Sequence, residues 1–577
     1  MKFSLRPNCA DARTLFYAAL LAATAAMLGA GRSMADDGPA TGALQEQLAA
    51  GEFGPALRDA GALADPRVRD QWLGQIAGAQ AQAGATAAAL NTAAGIDDDR
   101  ARAAALPAPG GQGGQQVNFQ QLIDLITATI APTTWDEVGG PGAIHEFRGG
   151  VYVDAQGLLK RTLHEERDGG LATERLKALE AGDNTNAAAA SNLRKVSLTR
   201  LEKQVQLRLA AGRRPTDEML ALAGLEKIKY VLVYPETGDL VLAGPAASWR
   251  PDADGRLVSQ ASGRPVLQLD DLVVILRHMT RAGDAKFGCS INPREAALAK
   301  TKEFLAESAK TPLKEGTRDR WLKQLRDRMG QQDVVVDGVD PHTRVAQVLV
   351  EADYRMKLVG MGLEPGVVGV RSYLDLIQVP RGEAPPPLDV LRWWFTLNYD
   401  DVRATQKHDA FELRGQGVQV QSENELLTAL GERVHTGKSE PLNQQFAQSF
   451  TQHFAALAAK YPVYADLQNL FDLALVGALV KSEDLAGRLN WHMTCFGDPR
   501  GYQVSYSPAP QSVESVIHHR VINQKHVVAG VSGGVRVDPW SYVKGAAVQV
   551  DKYGVLDAEQ QAGAAPKQLP PSAWWWD

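Results

Sequence analysis

The chain has 577 residues, of which 45% are hydrophobic and 22% are charged, and its formal net charge is −6. This is the composition of a globular protein, and the length is sufficient for several domains. The acidic balance provides no electrostatic basis for holding nucleic acid, so we expect no nucleic-acid partner.

The first 35 residues form a segment unlike the rest of the chain. A basic start precedes a charge-free apolar run over residues 15–31, and the small residues Ser33 and Ala35 follow at the two positions that a signal peptidase reads. This pattern predicts a secretory signal over residues 1–35 that is cleaved before Asp36. The alternative is an uncleaved anchor, although the run is short for a membrane span. We therefore expect an exported protein, periplasmic or extracellular, with no transmembrane segment in the mature chain.

The cysteines limit the disulfide chemistry of the exported chain. Cys9 lies in the predicted leader, so Cys289 and Cys495 remain after cleavage. In an oxidising compartment these two residues could form one disulfide. The alternative is that both are buried free thiols.

Three segments precede the main body of the chain. Residues 36–105 are rich in alanine and helical in pattern, and they resemble tetratricopeptide helical hairpins. Because fewer than three repeat units are visible, a degenerate helical hairpin is the alternative. Residues 106–117, rich in Gly and Gln, are typical of a flexible linker. Residues 118–165 predict a small module of one helix, a Gly-rich turn and two strands.

Helical and strand patterns alternate over residues 190–380, which predicts a mixed α/β domain. Ser197 stands where it would cap a helix whose apolar residues recur every three or four positions. The stretch "KYVLVYPETGDLVLAGP" contains two apolar runs around a turn sequence and predicts a β-hairpin.

The stretch "VEADYRMKLVGMGLEP" places two acids and two bases close together among apolar residues. A helix that begins at Asp340 would align the apolar residues in one stripe and would set each acid four residues before a base. The charges are then explained as ion pairs on the outside of a helix. The alternative is that Asp353 or Arg355 faces a cleft.

Residues 388–550 predict an α+β domain with long helices and a β-rich end. In "LRWWF" the alternation of a strand puts Trp393 in the core and Trp394 on the other face. The stretch "AFELRGQGVQVQ" is typical of a hairpin, and "VYADLQNLFDLALVGALV" predicts a helix central to the core. Residues 551–577 have a disordered composition, and their closing run of three tryptophans would be either a docking tag or an untidy tail.

The sequence "GVSGG" fits the Gly-x-Ser-x-Gly motif of serine hydrolases around Ser532. The nucleophile elbow of the α/β-hydrolases needs a helix after the serine and a histidine later in the chain, whereas here a strand-like "VRV" follows and no histidine comes after His526. The alternative is a tight glycine-rich hairpin. The catalytic candidates from the sequence are therefore Ser532, His518, His519, His526 and Asp353.

Histidine and cysteine spacing gives no complete metal site. Adjacent histidines on a strand, such as His518 and His519, point to opposite faces and do not readily share one ion. His492 and Cys495 have a ligand-like gap, but no second cluster completes a set of four ligands. We therefore expect no metal and no cofactor.

Several stretches together resemble one family. They include "VSLTRLE", "LAGLEKIKYVLVYPETGDLVLAGPA", "GCSINP", "VLVEADYRMKLVGMGLE", "YADLQNLFDLALV" and "HHRVINQKHVVAGVSGGV". Over roughly residues 150–545 the chain is similar to the exported planctomycete family called domain of unknown function 1598. The resemblance implies an exported protein of a planctomycete-like envelope, and it supplies no activity, cofactor or catalytic residue.

These patterns predict an α+β or mixed α/β multidomain protein. Its leading function is that of an exported, non-catalytic interaction or scaffold protein with a protein partner in the cell envelope. The alternative is an envelope hydrolase acting on peptide or glycan, in which Ser532, the three histidines and Asp353 or Glu351 would share one pocket. A third hypothesis, glycan binding without catalysis, would need Trp394 beside an exposed polar platform.

Overall fold

The structure is a computed structural model, and it describes residues 39–82, 85–106, 143–147, 150–154, 187–252, 254–308, 310, 318–378, 389–427, 433–522 and 525–577. The chain divides into two units, Met1–Asp97 and Asp98–Asp577. The predicted leader with its cleavage site, and nearly all of the predicted linker, lie outside the described residues.

The described residues of the first unit form four helices: α1 (Pro39–Ala50), α2 (Phe53–Gly61), α3 (Pro66–Gln82) and α4 (Thr86–Ala94). Trp72 and Ile76 of α3 are buried with Leu44 and Ala56 in a small apolar core. The helices predicted from the alanine-rich pattern are present, whereas the likeness to tetratricopeptide repeats stays a prediction.

The second unit contains the remaining helices and all of the strands in the described residues. Its helices are α5 (Asp99–Ala105), α6 (Leu198–Ala210), α7 (Asp217–Leu220), α8 (Leu269–Met279), α9 (Glu295–Ser308), α10 (Arg318–Met329), α11 (Arg344–Gly360), α12 (Tyr373–Leu376), α13 (Pro441–Gln452), α14 (Phe454–Lys460), α15 (Pro462–Ser482), α16 (Leu485–Arg488), α17 (Trp540–Val543) and α18 (Val555–Ala562). Its strands are β1 (Ala143–Phe147), β2 (Gly150–Asp154), β3 (Ser191–Ser197), β4 (Tyr230–Tyr234), β5 (Asp239–Ala246), β6 (Trp249–Pro251), β7 (Leu257–Ser259), β8 (Phe287–Pro293), β9 (Gln331–Asp337), β10 (Asp389–Asn398), β11 (Asp401–Ala404), β12 (Ala410–Arg414), β13 (Gly417–Leu427), β14 (Arg433–His435), β15 (Ser512–Glu514), β16 (Ile517–Ile522), β17 (Lys525–Val537), β18 (Val548–Val550) and β19 (Trp575–Trp576).

The larger sheet has eight strands in the described residues. Seven follow the order β14-β13-β10-β17-β8-β9-β15, and β16 pairs with β17 beside this row. The central strands β10 and β17 run parallel, with Leu391 opposite Val531 and Phe395 opposite Val535. The other pairings in this sheet are antiparallel.

The second sheet has seven strands in the order β18-β11-β12-β4-β5-β3-β19. Its β4 and β5 form the predicted hairpin, with Tyr230 opposite Ala243 and a turn that includes Gly238 at a φ of +68°. A left-handed backbone at this point favours glycine because a side chain would be strained there. Two small antiparallel pairs, β1–β2 and β6–β7, lie outside the two large sheets, and the first confirms the two strands predicted within residues 118–165.

The predicted boundary between a domain at residues 190–380 and another at 388–550 is wrong. Each large sheet takes strands from both segments, so the two segments form one body. The hairpin predicted at "AFELRGQGVQVQ" is also wrong, because β12 pairs with β4 and β11 while β13 pairs with β10 in the other sheet. Alternation identifies a strand, but tertiary packing chooses its partner. The predicted α+β class is confirmed.

One continuous apolar core joins a face of each large sheet to the helices α8, α11, α13 and α15. Helix α15 is central to it, since every residue from Val463 to Val480 is buried. Among the described residues it is the one helix long and apolar enough to cross a membrane, with a mean hydropathy of 1.3, and its whole apolar window is buried inside the fold. The prediction of a central core helix is confirmed.

Strand β10 defines the two faces of the eight-stranded sheet. Leu391, Trp393 and Phe395 are buried in the apolar core, and we call their side of the sheet the inner face. Arg392 and Trp394 alternate with them and are partly exposed on the opposite, outer face. The predicted separation of the two neighbouring tryptophans is therefore confirmed.

Helix α11 begins later than predicted. Thr343, rather than Asp340, caps it, and the Thr343 hydroxyl accepts from the Ala346 N–H at 3.4 Å. Asp340 instead accepts from the backbone N–H of His342 at 2.9 Å in the preceding turn. The Asp-Pro pair therefore marks the turn before the helix and not its first residues.

Residues 551–577 are structured, contrary to the prediction from their composition. Helix α18 and Trp576 cover the outer side of the seven-stranded sheet, and β19 pairs with β3, where Trp575 lies opposite Val196. Trp574 and Trp576 are only 6% and 5% exposed. Neither a docking tag nor an untidy tail describes this segment.

Arg194 anchors the closing segment. Its guanidinium donates to both carboxylate oxygens of Asp577 at 2.9 and 3.1 Å and lies 4.6 Å from the ring of Trp575. It also donates to the carbonyl oxygens of Ala187 and Ala223 at 2.6 and 2.8 Å. The Arg194 side chain is fully buried, and these bonds offset the cost of burying its charge.

Candidate functional site

Ser532 lies on the outer face of the eight-stranded sheet, within β17, and is fully buried. Its hydroxyl oxygen is 3.1 Å from Glu425 Oε2 and 3.3 Å from the carbonyl oxygen of Leu391. Both partners are acceptors, so the single hydroxyl hydrogen is committed to them. The serine with the best sequence motif therefore lacks access to solvent.

The glycines around Ser532 belong to a continuous strand, so the predicted tight hairpin is wrong. A Cβ atom at Gly533 would lie 1.8 Å from the Trp393 carbonyl oxygen, and one at Gly534 would lie 2.0 Å from that of Cys289. The glycines are explained by the close approach of neighbouring strands. The Gly-x-Ser-x-Gly motif has a packing origin here.

Glu425 stands between Ser532 and His435. Its Oε1 is 3.2 Å from His435 Nδ1, and Glu423 Oε2 is 3.4 Å from the same nitrogen, while Arg392 donates to Glu423 at 3.2 Å. In a serine triad the imidazole contacts the hydroxyl and the carboxylate contacts the imidazole. Here the Glu425 carboxylate lies between the hydroxyl and the imidazole, so His435 does not contact the hydroxyl as a catalytic base would. We call these five residues the Ser532 cluster.

The carboxylates of the Ser532 cluster are closed off from solvent. The side chains of Glu425 and Glu423 are 0% and 8% exposed, whereas His435 is 60% exposed at the rim. Burial opposes ionisation of Glu423, but the Gly437 N–H at 2.7 Å and the Arg392 guanidinium outweigh it and lower its pKa. The cluster is thus a hydrogen-bonded network in which Ser532 and the two carboxylates are buried, while His435 and part of Arg392 reach the surface. Sequence reasoning missed its glutamates because they stand far along the chain from the motif serine.

Asp353 lies on the inner face, behind Gly533. Its Oδ2 is 2.7 Å from Lys357 Nζ, both side chains are fully buried, and Nζ also donates to the carbonyl oxygen of Ile291 at 3.2 Å. Burial raises the pKa of Asp353, and the ammonium of Lys357 opposes this. The predicted spacing is correct, but the pair is in the core and not on the outside of the helix. The sheet separates Asp353 from Ser532.

A second buried network joins three helices to the β6–β7 hairpin. Arg344 binds Asp271 and donates to Asp466 at 2.6 Å; Arg256 binds Asp466 and donates to both oxygens of Glu351 at 2.9 and 3.0 Å. Burial raises the pKa of Asp271 to about 7 despite Arg344. Burial also opposes ionisation of Asp466, but the two guanidinium groups outweigh it and lower its pKa. Glu351, the other acid considered for a hydrolase, holds Arg256 in place.

The three candidate histidines of the β-rich end lie on β16 and β17. His518 pairs with Ala529, three residues from Ser532, and His526 lies six residues from Ser532 on the same strand. A rise of about 3.3 Å per residue puts these backbone positions about 10 Å and about 20 Å from the serine. The side chains of His518, His519 and His526 lie outside the described part of the chain.

The two remaining cysteines are separate buried thiols, so the disulfide is not formed. Burial raises the pKa of both Cys289 and Cys495, which favours unreactive thiols. The backbone N–H of Cys495 donates to the buried carboxylate of Glu202 at 2.7 Å, and this fixes the surrounding loop.

One group of metal-ligand side chains comes together in the described residues: Asp98, Asp99 and His492, with ligand atoms within 4.8 Å. His492 Nδ1 is 2.5 Å from Asp99 Oδ1, and the His492 N–H donates to Asp99 Oδ2 at 2.7 Å. Asp98 caps α5 through the Ala101 N–H at 2.8 Å and accepts from Asn490 at 3.0 Å. Anchoring of α5 explains these contacts, and His492 does not pair with the cysteine suggested by its spacing.

Trp394 occupies a different kind of surface. It is partly exposed on the outer face, and the Arg392 guanidinium carbon is 4.8 Å from the centre of its ring. Gln421 lies opposite Trp394 on β13 and is exposed, and Thr396 and Gln419 form the next pair. The polar side chains beside Trp394 are therefore Gln421, which is exposed, and Thr396 and Gln419, which are partly buried.

Residues 289–373 match the model of a family described as protein of unknown function, DUF1598. The matched segment runs from β8 to the start of α12 and is narrower than the resemblance over residues 150–545 that the sequence suggests. No curated protein and no solved structure matches the chain. The match names a family and assigns no activity.

Proposed function

We propose that this protein is an exported, non-catalytic binding protein of the cell envelope. The observation that carries the proposal is the setting of Ser532, whose buried hydroxyl is held by Glu425 and the Leu391 carbonyl. A serine nucleophile must reach its substrate and pass its proton to a base. This hydroxyl meets a carboxylate in place of an imidazole and is fully buried.

The distribution of the other candidates supports the same proposal. Asp353 is paired with Lys357 on the opposite face of the sheet, and Glu351 is held by Arg256 in the helical layer. The alternative function, an envelope hydrolase acting on peptide or glycan, needs these groups to converge around one reacting atom. Their described positions favour roles in stability.

Export and partner are parts of the proposal that rest on the sequence. The leader pattern of residues 1–35 favours secretion, with a mature chain that begins at Asp36. The helical region of residues 36–105 would supply a surface for a protein partner in the envelope, since repeat-like hairpins commonly present such surfaces.

The test expresses the full chain with its own leader in a bacterial host whose envelope and cytoplasm can be separated by fractionation. Fractionation and N-terminal sequencing are expected to find the chain in the envelope fraction, starting at Asp36. Wild type and Ser532→Ala are expected to give the same background on peptide and glycan substrates. Ser512→Ala is the matched control, because Ser512 is a strand serine of the same sheet outside the Ser532 cluster.

Two results would overturn this function. One is hydrolysis of any of these substrates by the wild type and by Ser512→Ala, but not by a folded Ser532→Ala variant. The other is recovery of the chain in the cytoplasm with the leader intact.

A further inference from the structure

Five residues on neighbouring strands form a row across the outer face of the eight-stranded sheet. The register places Gln421, Trp394, Gly534, Ser290 and Val335 side by side on β13, β10, β17, β8 and β9. Four strand spacings of about 4.8 Å make the row about 19 Å long. Gln421 is exposed, Trp394 and Ser290 are partly exposed, and Val335 is 54% exposed. We call this surface the Trp394 row.

The floor of the Trp394 row is backbone beside the indole. Gly534 and Gly288 carry no side chain. A Cβ atom at Gly534 would lie 2.0 Å from the carbonyl oxygen of Cys289, and one at Gly288 would lie 2.2 Å from the carbonyl oxygen of Val535. The close packing of the strands therefore excludes any side chain at these two positions. Both glycines are buried, so the solvent-facing part of the row consists of the side chains of Gln421, Trp394, Ser290 and Val335.

The indole of Trp394 is held in place before any ligand arrives. The Arg392 guanidinium lies over the ring, and Glu423 fixes that guanidinium through a hydrogen bond of 3.2 Å. An aromatic ring that is already ordered loses little conformational entropy on binding. It also offers a large apolar contact area at a surface that is otherwise polar.

The charges around the Trp394 row leave it close to neutral. Arg392, which lies over the Trp394 ring, is paired with Glu423 at 3.2 Å, and Asp333 is paired with Arg294 at 2.7 Å. Arg536 and Asp337 lie on either side of Gly288 and carry opposite charges. The groups that remain in the row are an amide, an indole, a hydroxyl and a valine side chain. A ligand that complements them carries many hydroxyl groups and no net charge.

We propose that the Trp394 row binds a neutral polysaccharide chain. This inference rests on the proposed binding function and names its ligand class. A sugar ring presents C–H groups that pack on the indole, and its hydroxyl groups suit the amide of Gln421 and the hydroxyl of Ser290. A row about 19 Å long is matched to several linked sugar rings and not to one.

Two other occupants fit this surface less well. A partner β-strand adds to a sheet by backbone pairing at an edge, whereas Trp394 and Gly534 lie on central strands. A stable protein interface buries roughly 800 Å² on each side around an apolar centre. The row presents one tryptophan and one valine in a polar setting, so a second copy of the chain is also disfavoured.

The experiment measures binding of the full mature chain to cellohexaose and chitohexaose by titration calorimetry, with polygalacturonate as an anionic comparison. Wild type is expected to bind at least one neutral hexasaccharide and to prefer it to the anionic polymer. Trp394→Ala is expected to weaken binding roughly tenfold, which is about 1.4 kcal/mol. Trp394→Phe should retain part of the affinity because it keeps an aromatic ring.

Tyr553→Ala is the matched control, because Tyr553 is an aromatic residue, 88% exposed, near the other sheet. It should bind like the wild type. No binding by the wild type, or equal binding by Trp394→Ala, overturns the glycan inference, while retention in the envelope fraction would still support the proposed function. The glycan inference is also overturned if the wild type forms a dimer that Trp394→Ala dissociates, because a second copy of the chain would then occupy the row. Cleavage of either hexasaccharide overturns the non-catalytic function itself.

Discussion

The two large sheets differ in how the chain covers their outer sides. On the seven-stranded sheet, Leu232 and Tyr234 are buried under Leu556 and Trp576 of the closing segment. The indole N–H of Trp576 donates to the carbonyl oxygen of Gly563 at 3.1 Å. This bond joins the end of the closing segment to the end of helix α18. This face is a second core built entirely from the protein's own chain.

In the part of the chain that the structure describes, the outer side of the eight-stranded sheet is covered only in part. Trp321, Leu325 and Met329 of α10 form a small apolar cluster with α9, and Met329 reaches to 3.3 Å from the Cβ position of Gly530. Four residues further along β17, at Gly534, the face carries the partly exposed Trp394. A tryptophan alone therefore does not indicate a role, because the chain that covers the sheet decides whether the ring stabilises the fold or remains available to a ligand.

The largest effect is expected from Trp576→Ala. Removing a large buried aromatic side chain from the covered face should lower the free energy of unfolding by roughly 3–5 kcal/mol. Urea unfolding followed by circular dichroism measures this loss. Trp575→Ala is the control, since Trp575 is only partly buried, and it should cost less. Equal losses for the two variants would mean that the closing segment is not a core.

The helical layer that both sheets share should show a pH dependence. Burial raises the pKa of Asp271 from 3.8 to about 7, so its contribution to stability is complete below about pH 3.8 and is lost as the pH rises to about 7. Asp271→Asn should therefore flatten the fall in unfolding free energy between about pH 4 and pH 7, by an amount on the order of a few kcal/mol. Urea unfolding at several pH values tests this.

Asp466→Asn is the matched control of opposite sign. The pKa of Asp466 is lowered, so its contribution is present above pH 3.8 and is lost on further acidification. This variant should flatten the acid side of the stability curve. It should also reduce, but not abolish, the change between pH 4 and pH 7, because burial is the main cause of the raised pKa of Asp271 and the charge of Asp466 adds to it. If Asp466→Asn removed the fall between pH 4 and pH 7 as fully as Asp271→Asn does, the assignment of the two carboxyl groups would be wrong.

Sequence periodicity predicts well where the deciding contacts are local. The hairpin of β4 and β5 follows from two apolar runs around a turn that needs Gly238, and the alternation along β10 separates Trp393 from Trp394. The burial of α15 follows from its apolar composition. In each of these cases a few consecutive residues carry the information.

Contacts between distant residues are what the sequence could not supply. Glu425 and Ser532 are 107 positions apart, and Arg256 and Asp466 are 210 apart. One signal for the second pair was present, because Asp466, like Asp472, is an acid in a largely apolar helix, and such a buried charge needs a partner. The closing segment was missed for the same reason, since its composition gives no indication that Trp576 has a sheet to cover.

A smaller effect is expected from Ser532→Ala. The hydroxyl satisfies a buried carboxylate, and its loss leaves Glu425 short of one donor, at a cost of about 1–3 kcal/mol. Combining it with Glu425→Ala should give less than the sum of the two single effects, because each variant alone already removes the Ser532–Glu425 hydrogen bond. Full additivity in urea unfolding would show that the Ser532 cluster is not a coupled network.

The smallest effect on stability is expected from Trp394→Ala, and this makes it the sharpest test of the comparison. The ring is partly exposed and covers little of the core, so the free energy of unfolding should change by less than about 1 kcal/mol. Trp393→Ala is the matched control one residue away. Trp393 is fully buried and its indole donates to Asn443 at 2.5 Å, so it should lose roughly 3–5 kcal/mol. If Trp394→Ala leaves the fold intact but weakens glycan binding, the open face differs in role from the covered one. A large loss of stability would instead mean that Trp394 serves the fold as Trp576 does.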